Sequence, residues 1–169
     1  MAAAKERLLE WLRDAHAMEQ QAETMLSSTA SRLENYPELK SRLEQHLEET
    51  KRQAEMLAEC LKRLGGGTSV VKDATGKFVA FAQGMSGMFV GDEVVKGAMA
   101  SYTFEHFEIS SYRCLIAAAE DAGDAQTKQV CETILHQEED MAKWLFDNLP
   151  AITSKYLARD EEPGVTAKH

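Results

Sequence analysis

Glutamate side chains interrupt the apolar stripes that the sequence predicts for its long helical segments. With residues placed at about 100° intervals around each helix axis, Glu19, Glu105 and Glu138 point at or near the centres of three separate stripes. A buried carboxylate costs several kcal/mol unless it is paired. Carboxylates that meet in one core also repel one another unless a proton or a cation neutralises them. The pattern therefore predicts glutamates that converge on metal ions.

The second helical segment has no glutamate at the centre of its apolar stripe. His46 and Gln53 are its inward-pointing polar residues, and Glu49 lies toward the edge of the stripe. Glu108, one turn after Glu105, lies at the edge of the third stripe. A glutamate at a stripe edge is often solvated or part of a surface ion pair. Both Glu49 and Glu108 have this alternative interpretation.

Two patterns in the sequence disagree on which glutamate of the fourth helical segment is the ligand. Glu138 points to the centre of the stripe, whereas Glu139 points to its margin. However, HLEET at 46–50 resembles HQEED at 136–140, as a duplicated hairpin would leave behind. That alignment pairs Glu139 with Glu49, so the choice between Glu138 and Glu139 stays open at this level.

We predict a metal centre with ligands from all four helices: Glu19, His46, Glu49, Glu105, Glu108 and Glu138. Carboxylate-rich sites suit iron or manganese better than copper, and the lack of thiolate clusters on the inner faces disfavours structural zinc. Two iron ions, or two manganese ions, held between four helices are the arrangement of the dinuclear carboxylate bundles.

Other titratable residues near the stripes have simpler interpretations. His16 and His106 lie off the stripe centres, and we expect them to be exposed. Tyr102 and Tyr112 lie on the inner stripe of the third segment, where their hydroxyl groups could bond to ligand carboxylates or pass electrons. A core tyrosine with a satisfied hydroxyl is the more frequent case.

Four helices must position these side chains, because proline and glycine are confined to a few points between stretches of strong helix formers. The expected helices span residues 4–34, 37–64, 92–122 and 124–150. Pro37 suits a first helical turn, and the glycine run at 65–67 ends the second helix. Gly123 closes the third helix and Asp124 caps the fourth. We expect Pro150 to end the fourth helix.

The connections between these helices define the fold class. A few residues join helix one to two and helix three to four, so each pair forms an antiparallel hairpin. The link between the hairpins is long enough to run the length of a bundle, and a short helix could form at 77–83. We therefore predict an all-α fold, a ferritin-like antiparallel four-helix bundle with a long crossover between helices two and three. Residues 1–158 form this single domain, and 159–169 form a polar C-terminal tail. The apolar segment 84–91 could cover the core or join a dimer interface.

The composition limits the partners and the location. The chain of 169 residues has a net charge of -9, which argues against binding to nucleic-acid phosphates or anionic lipid. It has no run of about 18 apolar residues for a membrane span, and acidic residues replace the apolar run of a secretory signal. We expect a cytoplasmic protein with no nucleic-acid or membrane partner, in which Cys60, Cys114 and Cys131 are reduced thiols.

Four segments carry a likeness to a known family: DAHAME at 14–19, HLEETKRQ at 46–53, FEHFEISSY at 104–112 and QEED at 137–140. They resemble the YciE/YciF-type ferritin-like proteins of bacteria, and the resemblance spans roughly residues 5–150. The resemblance implies a ferritin-like four-helix fold, a homodimer, a dinuclear metal site and a link to bacterial stress responses. It implies no particular reaction.

The sequence departs from the ferritins and rubrerythrins, which carry Glu-x-x-His on their second and fourth helices. Here the order is reversed, with His46 three residues before Glu49. Arg52 and Met141 stand where those proteins have histidine. Either His46 substitutes from one turn away, or the site is almost purely carboxylate, or metal occupancy is partial.

Three functions agree with these features. A metal-dependent redox protein would react with peroxide or oxygen at the two ions. A non-enzymatic stress or structural dimer would use any bound ions to hold the bundle together. Iron storage in a ferritin-type cage is the third, although the negative charge argues against a shell that protects DNA.

Overall fold

The computed structural model describes residues 2–66 and 93–167. They form four helices, which we number α1 to α4 in chain order: Ala2–Arg32, Pro37–Arg63, Glu93–Asp121 and Ala125–Asp160. The described ranges contain no strand, which confirms the all-α prediction. The helix expected at 77–83 and the apolar segment 84–91 lie outside the described residues. Among the four helices, none combines the length and apolar character that a membrane span requires.

The four helices pack as two antiparallel hairpins, α1 with α2 and α3 with α4. Between the hairpins, α1 runs antiparallel to α3, because Glu19 contacts Tyr112 and Thr29 lies beside Gly97. Since α1 is antiparallel to both α2 and α3, the latter two run parallel. The link after Arg63 therefore joins opposite ends of the bundle, which are about 40 Å apart at 1.5 Å per helical residue. This connectivity is the one predicted from the loop lengths.

The helix ends at the α3–α4 turn are specified by local chemistry. Gly123 has a φ of 71°, a left-handed conformation that suits glycine. The Asp124 side chain accepts a hydrogen bond from the Thr127 backbone N–H at 3.1 Å and so caps α4. Arg63, at the end of α2, donates to both carboxylate oxygens of Asp124 at 2.8 and 2.6 Å. One aspartate therefore starts α4 and ties it to α2.

The core formed by residues 2–66 and 93–167 consists of two apolar clusters with a polar layer between them. The first cluster surrounds the N-terminal half of α1, with Leu12, Leu61 and Ile134 among its fully buried members. The second cluster surrounds the turn between α1 and α2 and includes Leu43 and Leu145. Buried polar side chains occupy the helical turns that lie between the two clusters: His46, Thr50 and Gln53 on α2, and Glu138 on α4.

The predicted end of the fourth helix was wrong, because α4 continues through Pro150 to Asp160. A proline inside a helix removes one hydrogen bond and costs about 3 kcal/mol. The residues beyond it offset this cost, since Ile152 is buried and Tyr156 packs against the second cluster. The polar C-terminal segment also folds back, with the Tyr36 hydroxyl donating to the carbonyl oxygen of the buried Ala167 at 2.5 Å.

Candidate metal centre

Four glutamates are buried at the middle of the bundle. Glu19 on α1, Glu105 and Glu108 on α3, and Glu138 on α4 all have side chains shielded from solvent. Glu105 and Glu108 are three residues apart and so lie one turn apart on the same side of α3. The sequence placed Glu108 at the edge of its stripe, yet the structure buries it as completely as the others.

His46 from α2 is a buried basic group in this layer, and both of its ring nitrogens contact carboxylates. Its Nε2 lies 3.2 Å from Glu105 Oε2 and 3.3 Å from Glu138 Oε2. Its Nδ1 lies 2.8 Å from Glu49 Oε2. One ligand atom each from His46, Glu105, Glu108 and Glu138 lies within 4.8 Å of the others. These four side chains form a group that could hold a metal ion.

Glu19 on α1 approaches the group from the hairpin that also carries His46. The hydroxyl of Tyr112 on α3 donates a hydrogen bond to Glu19 Oε1. Burial raises the pKa of Glu19 well above its usual value, and the nearby charge of Glu138 raises it further. All four helices therefore contribute to one charged layer.

Glu49 and Glu139 occupy different places from the buried glutamates. The side chain of Glu49 is 20% exposed and lies at the rim of the layer, beside His46. The side chain of Glu139 is 44% exposed and lies 3.5 Å from His136 on the outer surface of α4. The sequence left open whether Glu138 or Glu139 is the α4 ligand, and the structure places Glu138 in the layer.

Burial and neighbouring charges strongly perturb the acidity of Glu105, Glu108 and His46. Burial raises the pKa of Glu105 to about 8, although the neighbouring His46 opposes the shift. Burial and the charges of Glu138 and Glu19 raise the pKa of Glu108 well above its usual value. Burial by itself would lower the pKa of His46, but its carboxylate neighbours raise it well above normal. Without a cation, Glu105, Glu108 and His46 therefore favour their protonated forms.

Five buried oxygens in the layer accept no hydrogen bond from any described residue: Glu19 Oε2, Gln53 Oε1, Glu105 Oε2, Glu108 Oε1 and Glu138 Oε2. His46 is close to two of them without the alignment of a hydrogen bond. Buried acceptors without donors are rare, and each costs about 1–3 kcal/mol. A cation bound among His46, Glu105, Glu108 and Glu138 would give the three carboxylates of that group a partner. The donor set of carboxylate, amide and imidazole groups thus fits divalent metal ions.

Gln53 is a site residue that the predicted ligand set omitted. Its amide nitrogen donates to Glu138 Oε1 at 2.5 Å and to Gln137 Oε1 at 3.0 Å. Two acceptors on the nitrogen define the orientation of the amide group. The signal in the sequence was its inward position on α2, two turns after His46.

The aromatic and histidine predictions had mixed outcomes. Tyr112 is fully buried and contacts Glu19, whereas Tyr102 is half-buried and stacks edge-on against His106 with ring centroids 4.6 Å apart. His106 is exposed, as predicted. The expectation for His16 was wrong, because residues 15–19 are all buried. At this level of the bundle, α1 is covered on more than one side.

Two antiparallel hairpins joined by a long link, with a histidine–carboxylate layer at mid-bundle, define a ferritin-like four-helix protein. The chain matches the family model described as "Domain of unknown function (DUF892)" over residues 3–158, and it belongs to that family. The predicted YciF-type, ferritin-like assignment is confirmed.

Solved structures support the same fold. A protein from Xanthomonas campestris is 44% identical with a TM-score of 0.81, over 94% of this chain and 99% of that one. The Escherichia coli stress protein YciF is 22% identical with a TM-score of 0.75, over 92% and 99%. A dodecameric thioferritin from Bacteroides fragilis is 17% identical with a TM-score of 0.72, over 91% and 90%. At these identities, the last two show likeness of fold.

We predict that the metal-free protein becomes less stable as the pH rises from about 4.5 to about 8. The folded-state pKa of Glu105 is raised, so its contribution to stability is present below the unfolded pKa and is lost as the pH rises through about 8. Each such group contributes up to about 1.4 kcal/mol per pH unit. Urea unfolding of chelator-treated protein across this pH range measures the effect.

Glu105→Gln should flatten this pH dependence, because the amide does not titrate. The matched control is Glu139→Gln, which removes an exposed carboxylate and should leave the slope unchanged. Equal slopes for wild type and Glu105→Gln would contradict the perturbed acidity of the layer.

Proposed function

We propose that this protein binds two iron ions, or two manganese ions, in the buried layer and uses them in a bacterial stress response, reacting with peroxide or oxygen. The observation that carries the proposal is the set of five buried acceptor oxygens without donors, contributed by all four helices. A protein core does not normally leave such atoms unsatisfied. Two cations at this level of the bundle would satisfy them together.

The charge of the layer also supports two divalent ions. Glu19, Glu105, Glu108 and Glu138 are four carboxyl groups, and their combined negative charge when ionised balances the positive charge of two divalent cations. His46 would then bind as a neutral imidazole. Glu49 is not counted among these four carboxylates, because it lies at the rim and has its own cationic neighbour, Arg42, at 3.5 Å. A layer that is neutral with two ions bound avoids the large cost of a buried net charge.

The residues of the chain would hold, orient and shield the ions. Two iron ions would supply the electrons that reduce peroxide to water. Glu105, Glu108 and His46 would hold them from α2 and α3. Gln53 holds one oxygen of Glu138 in place, and Tyr112 does the same for Glu19. The apolar clusters on both sides of the layer exclude bulk water and so strengthen electrostatic interactions inside it.

The first test is metal binding. Chelator-treated protein titrated anaerobically with Fe(II) or Mn(II) should bind two ions per chain. At a free ion concentration one hundred times Kd, each bound ion should raise the free energy of unfolding by about 2.7 kcal/mol. Glu138→Gln should weaken binding, because it removes a buried ligand, whereas the adjacent control Glu139→Gln should bind like wild type. Absence of bound ions from wild type would contradict the proposal.

The second test is reactivity. Protein loaded with Fe(II) should consume hydrogen peroxide, and Glu138→Gln should lower the rate by about tenfold or more.

The alternative function is a non-enzymatic stress protein in which the ions only hold the bundle together. The position of the group formed by His46, Glu105, Glu108 and Glu138 favours this alternative, because an ion bound there would link α2, α3 and α4. Loaded protein that is stabilised yet inert toward peroxide and oxygen would support it.

We also propose that the protein is a cytoplasmic homodimer that pairs through the α1–α3 face. A mostly apolar groove of about 340 Å³ lies on that face, lined in part by Trp11, Met18, Phe107 and Cys114. Trp11 is 42% exposed although it is a large apolar side chain. Exposed apolar surface around a groove is typical of protein–protein contacts.

Light scattering should give a mass near twice 18.8 kDa for wild type. Trp11→Glu should give the monomer mass, because it places a charge in the proposed interface. The matched control is Phe146→Glu, at a 62% exposed residue on α4, which should remain dimeric. A monomeric wild type would contradict the dimer, and a mass near twelve chains would indicate a shell instead.

A further inference from the structure

Glu49 differs from the buried glutamates in how its oxygens are used. Its Oε1 accepts a hydrogen bond from Gln45 Nε2 at 3.0 Å. Its Oε2 lies 2.8 Å from His46 Nδ1 and 3.5 Å from Arg42 Nη1. All three donors belong to α2 itself, so both oxygens of Glu49 are occupied by its own helix. None of the five unsatisfied acceptors of the layer belongs to it.

The same contact orients the ring of His46. The two nitrogens of an imidazole lie on different edges of the ring, so the hydrogen bond at Nδ1 turns Nε2 toward Glu105 and Glu138. A neutral imidazole binds a metal ion through its unprotonated nitrogen, and a carboxylate at the other nitrogen keeps the proton there. The Thr50 hydroxyl donates to the His46 backbone carbonyl at 2.9 Å, one turn further along α2.

We propose that Glu49 is a positioning residue that holds His46 with Nδ1 protonated and Nε2 directed at the metal ions, and that it is not itself a ligand. This inference rests on the proposed metal-binding function. It revises the predicted ligand set, in which Glu49 was a direct ligand. It also accounts for the reversed His-x-x-Glu order on α2: the histidine enters the layer, and the glutamate one turn later supports it from the rim.

Substitutions at residue 49 can separate the role of the hydrogen bond from that of the charge. Glu49→Gln keeps an oxygen that can accept from Nδ1 but removes the charge. Glu49→Asp keeps the charge but shortens the side chain by one methylene, so it no longer reaches Nδ1. Glu49→Leu removes both. The matched control is Glu48→Leu, at a neighbouring residue that is 58% exposed and paired with Lys51.

Two measurements apply to the chelator-treated full-length protein and each variant. Titration with Mn(II) gives the affinity, and ¹⁵N NMR of the Zn(II)-loaded protein, with zinc as a diamagnetic probe, reports which nitrogen of His46 carries the proton. Affinity should fall about 10–100-fold in Glu49→Leu and Glu49→Asp. Glu49→Gln should keep most of the wild-type affinity, and Glu48→Leu should bind with the same affinity as wild type. Wild type and Glu49→Gln should show a protonated Nδ1 and a metal-bound Nε2.

The opposite ranking overturns the inference. If Glu49→Gln binds as weakly as Glu49→Leu while Glu49→Asp keeps its affinity, Glu49 acts as a ligand or through its charge. If Glu49→Leu binds like wild type with an unchanged His46 signal, Glu49 has no part in the site, and the metal function stands. If wild type binds no ion, the metal function fails and this inference fails with it. Glu49→Gln and Glu49→Asp are conservative enough to decide the question if Glu49→Leu does not fold.

Discussion

The desolvation of four carboxyl groups at one level of a helical bundle is the constraint on which the rest of the structure depends. Glu19, Glu105, Glu108 and Glu138 are all buried, and each costs several kcal/mol without compensation. Their layer divides the apolar core into two clusters, which must supply the packing that holds the four helices around it. Long helices that cross the whole bundle satisfy both requirements, because each contributes to both clusters and to the layer.

The chain compensates the carboxyl groups only in part. His46 approaches two of them, Tyr112 donates to Glu19, and Gln53 donates to Glu138. Each of these donors is itself buried and comes from a different helix than the group it contacts. The oxygens left over have no hydrogen-bond partner among the described residues. Under the proposed function, bound cations would stabilise such an assembly and would link folding of the bundle to metal binding.

Much of the fold and part of the site could be predicted from periodicity. The angle on the helix favoured Glu138 and the internal repeat favoured Glu139; the structure buries Glu138 and leaves Glu139 exposed. The burial of residues at stripe edges was harder to predict. The helical angle gives the direction of a side chain, but it does not show whether another helix covers that side chain. Glu108 at such an edge is fully buried and Glu49 at another is partly exposed. His16 was misjudged for the same reason, since it lies off the stripe and is still covered.

The sequence by itself determined four helices, their antiparallel pairing and the inward direction of three glutamates, because helical periodicity and turn chemistry are local properties of the chain. Only the tertiary structure decided which side chains meet across helices, such as Tyr112 with Glu19 and Gln53 with Glu138. It also decided that α4 continues past Pro150, because packing distant in sequence outweighs a local penalty. The sequence pattern alone identified the glutamates in the apolar stripes. Their partners depend on how the hairpins pack together.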